Sequence, residues 1–467
     1  MPFGLLLAAL VLGSERPSVV LIYCDDLGYA DIGPFGAKAI RTPNLDRLAR
    51  EGRSFTNFHV AQPVCSASRA ALLTGCYPNR IGIHGALGPN AKHGIAAGET
   101  TMAEMLRDRG YATACVGKWH LGHLPPFLPT NHGFDRYFGL PYSNDMWPNH
   151  PEARPGSYPP LPLFANSKII DPAVSPETQS TLTSRYTTEA TQFIEQSKDR
   201  PFFLYLAHSM PHVPLFAGKG FQGKSKSGTF ADVIEEIDAS TGAILSTLDR
   251  TGRTADTIVI FTSDNGPWLS YGNHAGSAGL LREGKGTVWE GGVRIPCIMR
   301  WPGKITHGTR SNAMAMTIDL LPTMAQWTGS RLPENIIDGR DIGTVLTSDK
   351  ETNNPHDGYA YYYENNQLQA VASGDGRWKL ILPHSYRTLG GQPGGNDGTP
   401  AKYVQRRIKQ PELYDLNADV GETINVAERH PDIITRLLAF ADRTRNDLGD
   451  SLTQKKATGN RAVGQAP

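Results

Sequence analysis

The chain has 467 residues, a formal net charge of +1 and five cysteines. Near-neutral, mixed charge argues against a nucleic-acid-binding protein, and no apolar run beyond the N-terminus is long enough to cross a membrane as a helix. The length suggests about three domains on a simple size prior, although α/β enzymes often pack more residues around one sheet.

Residues Phe3 to Leu12 are nearly all apolar. The run is too short to span a bilayer and fits the apolar region of a signal peptide, although no Lys or Arg precedes it. Residues 1–16 are therefore read as a signal segment and the protein as periplasmic or secreted. Ser18 to Tyr23 is a continuous, β-branched apolar run, the pattern of a strand covered on both faces. It ends in Cys24-Asp25-Asp26-Leu27-Gly28. Thr42 and Pro43 open a helix that Gly52 closes. A strand over Ser54 to Val60 leads to Cys65-Ser66-Ala67-Ser68-Arg69, where Ala67 to Leu73 favour a helix and Gly75 a stop. Cys65 then sits at a helix N-terminus, where the helix dipole favours an anion and would lower a thiol pKa. Arg69 lies one turn on, on the same side.

A helix over Thr101 to Arg109 and a strand over Tyr111 to Val116 lead into Gly117-Lys118-Trp119-His120. From Pro141 to Lys168 the chain is rich in Pro, Asn and aromatics without a period, which predicts a long surface loop. A helix is expected over Glu177 to Ser197, and buried strands over Pro201 to Ala207 and Thr257 to Phe261 flank a helix over Phe230 to Leu248. Gly292 to Trp301 reads as a strand and Ile318 to Trp327 as a helix. Strands alternating with helices indicate a mainly parallel α/β sheet sandwiched by helices. After about residue 350 the texture changes. Short strands over Tyr359 to Glu364, Leu368 to Ala372, Trp378 to Leu382 and Glu412 to Leu416, with a helix over Pro431 to Asn446, predict a smaller antiparallel α+β subdomain. The expected organisation is a catalytic unit over residues 17–350, this subdomain over 351–450, and a disordered polar tail over 451–467. The cysteines other than Cys65 lie in or near strands, as buried thiols do.

Asp25 and Asp26 end one strand, and Asp264 and Asn265 end another. In open α/β sheets, sites gather at the carboxyl ends of strands. Three carboxylates and an amide form a hard oxygen set suited to Ca²⁺ or Mg²⁺; Asp and Asn before Gly are also ordinary turn formers. Arg69, Lys118, His120, His212 and Lys285 fall in loops after strands or in Gly-rich turns, from which they could converge on an anionic ester.

Cys65 to Arg69, followed by Leu73-Thr74-Gly75, resembles the maturation signature of the type I sulfatases, and the likeness runs from about Pro17 to the helix at Pro431. It is strongest to the branch of the arylsulfatases A and N-acetylgalactosamine-6-sulfatases. The resemblance implies an alkaline phosphatase-like fold. It also implies oxidation of Cys65 to formylglycine by a formylglycine-generating enzyme, and one Ca²⁺ held by Asp25, Asp26, Asp264, Asn265 and residue 65. Arg69 and Lys118 would hold the hydrated aldehyde and a sulfate oxygen; Ser143, His212 and Lys285 would contact substrate. His212, assisted by Lys285, would protonate the leaving alcohol while the hydrated aldehyde attacks sulfur. His120 would then take the proton that lets sulfate leave. The implied substrate is a sulfate ester, most naturally of a carbohydrate. Formylglycine-dependent phosphonate and phosphodiester hydrolases share the same parts and stand as the alternative; a non-catalytic carbohydrate-binding protein would need a broken site.

Overall fold

The computed structural model describes residues 16–350 and 354–467. Apart from Arg16, the expected signal segment lies outside them.

Strand Ser18–Cys24 is buried at every position. Its side chains alternate between two cores, Val19, Leu21 and Tyr23 entering one and Val20, Ile22 and Cys24 the other. Both faces are covered, so the run has no polar side to show. The strand pairs in parallel with Phe202–Ala207 on one side and Thr257–Ser263 on the other. Ala112–Gly117 and then Arg136–Gly139 extend the parallel set. Helices Pro43–Glu51, Leu182–Gln196 and Thr229–Arg250 pack on one face. Helices Cys65–Thr74, Met102–Asp108 and Leu320–Thr328 pack on the other. This is the sandwich expected.

The sheet is not parallel throughout. Arg294–Arg300 runs antiparallel to Thr257–Ser263, and Arg53–His59 antiparallel to Arg294–Arg300. Two reversals restore direction. The carboxyl end of Arg53–His59 and the amino end of Arg294–Arg300 therefore lie at the edge where the parallel strands end. At the far side, the stretch expected as loop alone contributes a hairpin, Leu163–Ala165 with Lys168–Asp171. The helix expected over Glu177 to Ser197 is two, Pro176–Gln179 and Leu182–Gln196.

The four expected C-terminal strands form an antiparallel sheet, Gly358–Tyr363, Gln367–Ser373, Trp378–Ile381 and Glu412–Asp415, backed by helix Pro431–Leu448. A ribbon of His384–Thr388 with Val404–Ile408 was not expected. The residues after Asp450 are not a free tail. Arg461 pairs with Glu99 at 2.7 Å, and Gly464–Gln465 pairs antiparallel with His93–Gly94. The partners lie far back in the chain, so local polarity misled. All five cysteines are buried and free.

Candidate active site

In sheet order, strands Thr257–Ser263, Ser18–Cys24, Phe202–Ala207 and Ala112–Gly117 are neighbours. Their carboxyl ends deliver Asp264 and Asn265, Asp25 and Asp26, His212, and Lys118 and His120 to one place. Asp26 has φ +62, a left-handed conformation that Asp tolerates. That turn lets both carboxylates face the site instead of opposite sides of the sheet. Asp26 N donates to Asp264 Oδ1 at 3.1 Å, and Asn265 Nδ2 to Asp26 Oδ1 at 2.7 Å, joining the two acidic pairs.

Cys65 arrives from the restored direction of Arg53–His59. It is the first residue of helix Cys65–Thr74, which ends at Gly75 with φ +68 as expected. All ten helix residues are buried, so the segment needs no polar face. Cys65 Sγ lies 3.5 Å from Asp25 Oδ1. The thiol is not acidified by its helix. Burial pushes it well above its ordinary pKa, with Asp25 and Asp264 adding to the shift and Lys118 and Lys285 opposing it. The expectation of a lowered pKa fails because burial, with the two carboxylates adding to it, outweighs the nearby cations.

Arg69, one turn on and fully buried, donates through Nε and Nη2 to Asp264 Oδ2 at 3.1 and 2.8 Å, and through Nη1 to the Lys118 carbonyl at 3.0 Å. Lys118 Nζ donates to Asp25 Oδ2 and, at 3.1 Å, to Ser143 Oγ. Gly117 permits this turn: with φ +112, a Cβ there would fall 1.8 Å from the Ala207 carbonyl. Lys285 Nζ lies 2.7 and 2.8 Å from the two Asp26 oxygens, and His212 Nε2 lies 3.5 Å from Asp26 Oδ2. Every residue singled out in the sequence thus stands in one buried cluster or is bonded to it, except His120, which sits just behind.

His120 Nε2 lies 2.8 Å from the Leu87 carbonyl. A carbonyl can only accept, so Nε2 carries the proton and Nδ1 the lone pair. Nδ1 is buried with no partner among the described residues. Burial, with Lys118 and Arg69 nearby, pushes this histidine well below its ordinary pKa. It is a neutral ring whose Nδ1 lone pair is unshared among the described residues.

Sequence reasoning missed several supports. The Leu87 carbonyl gives no signal in a side-chain pattern. Asn144 Nδ2 donates to the His212 and Pro214 carbonyls at 3.5 and 3.2 Å, holding the His212 segment. The Trp268 ring lies 5.5 Å from that of His212, and 4.4 Å from Lys285 Nζ. Asp145, buried beside His150 at 3.6 Å, is held below the usual carboxylate range, His212 and His150 overcoming the opposing effect of burial.

The set fits a divalent cation. Ligand atoms of Asp25, Asp26, Cys65 and His212 lie within 4.8 Å of one another. Asn265 Oδ1 is buried with no partner among the described residues, an orphan that a cation would satisfy. Burial and Asp25 push Asp264 up to about 7 despite Arg69, which marks crowded negative charge. Among the described residues, Asp25, Asp26 and Asp264 balance Arg69, Lys118 and Lys285 in formal charge, so a bound divalent ion would leave the pocket positive and ready for an anionic ester.

The sulfatase family model matches residues 17–330, and a model described as N-sulphoglucosamine sulphohydrolase, C-terminal, matches residues 283–388. The chain is 38% identical to arylsulfatase A of Bos taurus over 445 residues, covering 91% of this chain and 86% of that one. It is 34% identical to N-acetylgalactosamine-6-sulfatase of Mus musculus over 480 residues, covering 97% and 91%. The solved PsFucS1 sulfatase from Pseudoalteromonas sp. superposes with a TM-score of 0.82 at 28% identity, covering 96% and 92%. The chain belongs to the sulfatase family and is a sulfuric ester hydrolase.

Proposed function

We propose that this enzyme hydrolyses sulfate esters of carbohydrates, with residue 65 converted from cysteine to formylglycine and one Ca²⁺ in the acidic cluster. The observation that carries the reading is the setting of Cys65 Sγ, 3.5 Å from Asp25 in a pocket that also holds Arg69, Lys118, His212 and Lys285. Asp25, Asp26, Asp264, Asn265 and the converted residue 65 would hold the Ca²⁺, which when bound supplies positive charge beside a hydroxyl nucleophile and the sulfate oxygens. The hydrated aldehyde offers two hydroxyls, one to attack sulfur and one whose deprotonation releases sulfate; serine would offer only the first.

Lys118 and Arg69 orient these hydroxyls and a sulfate oxygen, with Ser143 holding Lys118. His212 Nδ1 donates to the Val213 carbonyl at 2.5 Å, which leaves Nε2 as the atom that passes a proton to the leaving oxygen, next to Lys285. His120 Nδ1 accepts the proton in the second step. A carbohydrate substrate is supported by the sugar named in the mouse relative and by the aromatic loop with Trp147, His150 and Tyr158, where the His150 and Tyr158 rings lie 5.2 Å apart. Maturation requires a formylglycine-generating enzyme. Export to the periplasm or medium is proposed from the N-terminal apolar run; no described helix is long and apolar enough to cross a membrane. Turnover of an aryl sulfate against an aryl phosphate diester tests the reading, which requires the sulfate to be preferred; a preferred diester would overturn it.

A further inference from the structure

Lys285 reaches the site in a different way from the other cations. It precedes strand Arg294–Arg300 instead of following a strand, on a loop whose amides bond to the Pro63 and Pro267 carbonyls and whose side chains and Lys285 carbonyl bond to the C-terminal part of the chain. Three consecutive residues of His384–Thr388 hold this loop. Tyr386 Oη accepts from Arg282 Nη2 at 3.0 Å, Arg387 Nη2 donates to the Lys285 carbonyl at 2.6 Å, and Thr388 Oγ1 donates to Glu283 Oε1 at 2.6 Å. Glu422 accepts the Arg282 guanidinium on its carbonyl at 2.9 Å and the Glu290 amide on its carboxylate at 2.7 Å.

Arg387 is the member closest to the chemistry. Its guanidinium lies against Gly286, where φ is +78 and a Cβ would stand 2.3 Å from Arg387 Nη2. The guanidinium carbon is 4.8 Å from the Tyr403 ring centroid and 6.0 Å from that of Trp268, the ring that Lys285 Nζ approaches at 4.4 Å. A charge-assisted bond to the Lys285 carbonyl is stronger than a neutral one, and the planar fork has few ways to sit between two rings.

We propose that Arg387 is a positioning residue. It sets the Lys285 ammonium against Asp26 by fixing the Lys285 carbonyl and the Trp268 ring, so that the C-terminal ribbon governs the leaving-group side of the site. The proposal rests on the role given to Lys285 above. The amides of Lys285 and Gly286 are held by the Pro267 and Pro63 carbonyls, each at 2.9 Å; without the fork the Lys285 carbonyl loses its only charged partner among the described residues, the peptide tilts about those two bonds, and the ammonium shifts. A misplacement of about 1 Å costs about 10²-fold in rate.

The test measures kcat and KM for a sugar sulfate and for an activated aryl sulfate in Arg387→Met, Arg387→Lys, Lys285→Ala and the Arg387→Met, Lys285→Ala double variant, with thermal unfolding alongside. Arg387→Met should lower kcat on the sugar sulfate by about 10- to 100-fold, with a smaller loss on the aryl sulfate and little change in KM. Arg387→Lys should recover part of this, and serves for the same comparison where Arg387→Met does not fold. In the Lys285→Ala background, Arg387→Met should add less than about twofold, because the two act as one unit. Fully additive losses, or a loss confined to KM, would overturn the positioning role. If Lys285→Ala alone leaves the leaving-group dependence unchanged, the role of Lys285 itself is refuted, and the proposal with it.

Discussion

Replacing His212 by alanine should separate the enzyme's substrates by the quality of their leaving groups. The side chain is 2% exposed, its Nδ1 is tied to the Val213 carbonyl at 2.5 Å, and only Nε2 faces the cluster, 3.5 Å from Asp26 Oδ2. A positioned general acid contributes about 10²- to 10⁴-fold, which is about 2.7–5.4 kcal/mol of barrier. Lys285 Nζ lies 2.8 Å from the same Asp26 oxygen and remains in the variant. Its charge still favours the departing alkoxide, so the loss on a sugar sulfate should fall at the lower end, about 10²- to 10³-fold. An activated aryl sulfate hardly needs a proton and should lose less than about tenfold. The assay is kcat/KM across a series of sulfate esters of graded leaving-group pKa, read as a slope. Equal losses across the series would refute the assignment of His212 as the acid.

His120→Ala should spare the first half of the reaction and slow the second; rapid mixing should show a burst of alcohol, and mass spectrometry should find sulfate retained on the peptide that contains residue 65. A lowered rate with no retained sulfate would place His120 elsewhere. Excess chelator should abolish activity and Ca²⁺ restore it, and Asp264→Ala should match the chelated enzyme. Full activity in chelator with no metal by elemental analysis would exclude the site. Away from the site, Glu236 is 4% exposed and accepts the Gly218 amide at 2.8 Å, and burial pushes it up to about 7. A carboxyl raised on folding contributes stability that is full below its unfolded pKa of about 4.3 and is lost as pH rises through the folded value. Glu236→Gln should therefore flatten the fall in thermal stability between about pH 5 and about pH 8; an unchanged profile would mean the carboxyl does not titrate with folding.

The parallel centre of the fold was legible because its strands are apolar on both faces, and the site residues at their carboxyl ends were legible with them. Asp25, Asp26, Asp264, Asn265, Lys118 and His212 all follow such strands. Lys285 was not placeable by that rule, since the antiparallel strand Arg294–Arg300 presents its amino end to the site. Its Gly-rich turn marked it as a candidate, and only the resemblance gave it a role. The ribbon His384–Thr388 with Val404–Ile408 was invisible because the second strand, Val-Gln-Arg-Arg-Ile, is exposed at four of its five positions and shows no buried alternation. The ordering of Arg461 and Gly464 depends on Glu99 and Gly94, contacts that no local window contains. The raised thiol pKa of Cys65 was misjudged for a related reason: the helix N-terminus is local, whereas the burial that raises the thiol, with Asp25 and Asp264 adding to it, comes from the folded core.

The central claim is that Cys65 works only after conversion. Protein co-expressed with a formylglycine-generating enzyme should yield a tryptic peptide over Cys65 that carries an aldehyde, reacts with a hydrazide, and accounts for sulfatase activity in proportion to the fraction converted. Fully active protein with an unmodified thiol at Cys65 would contradict the account.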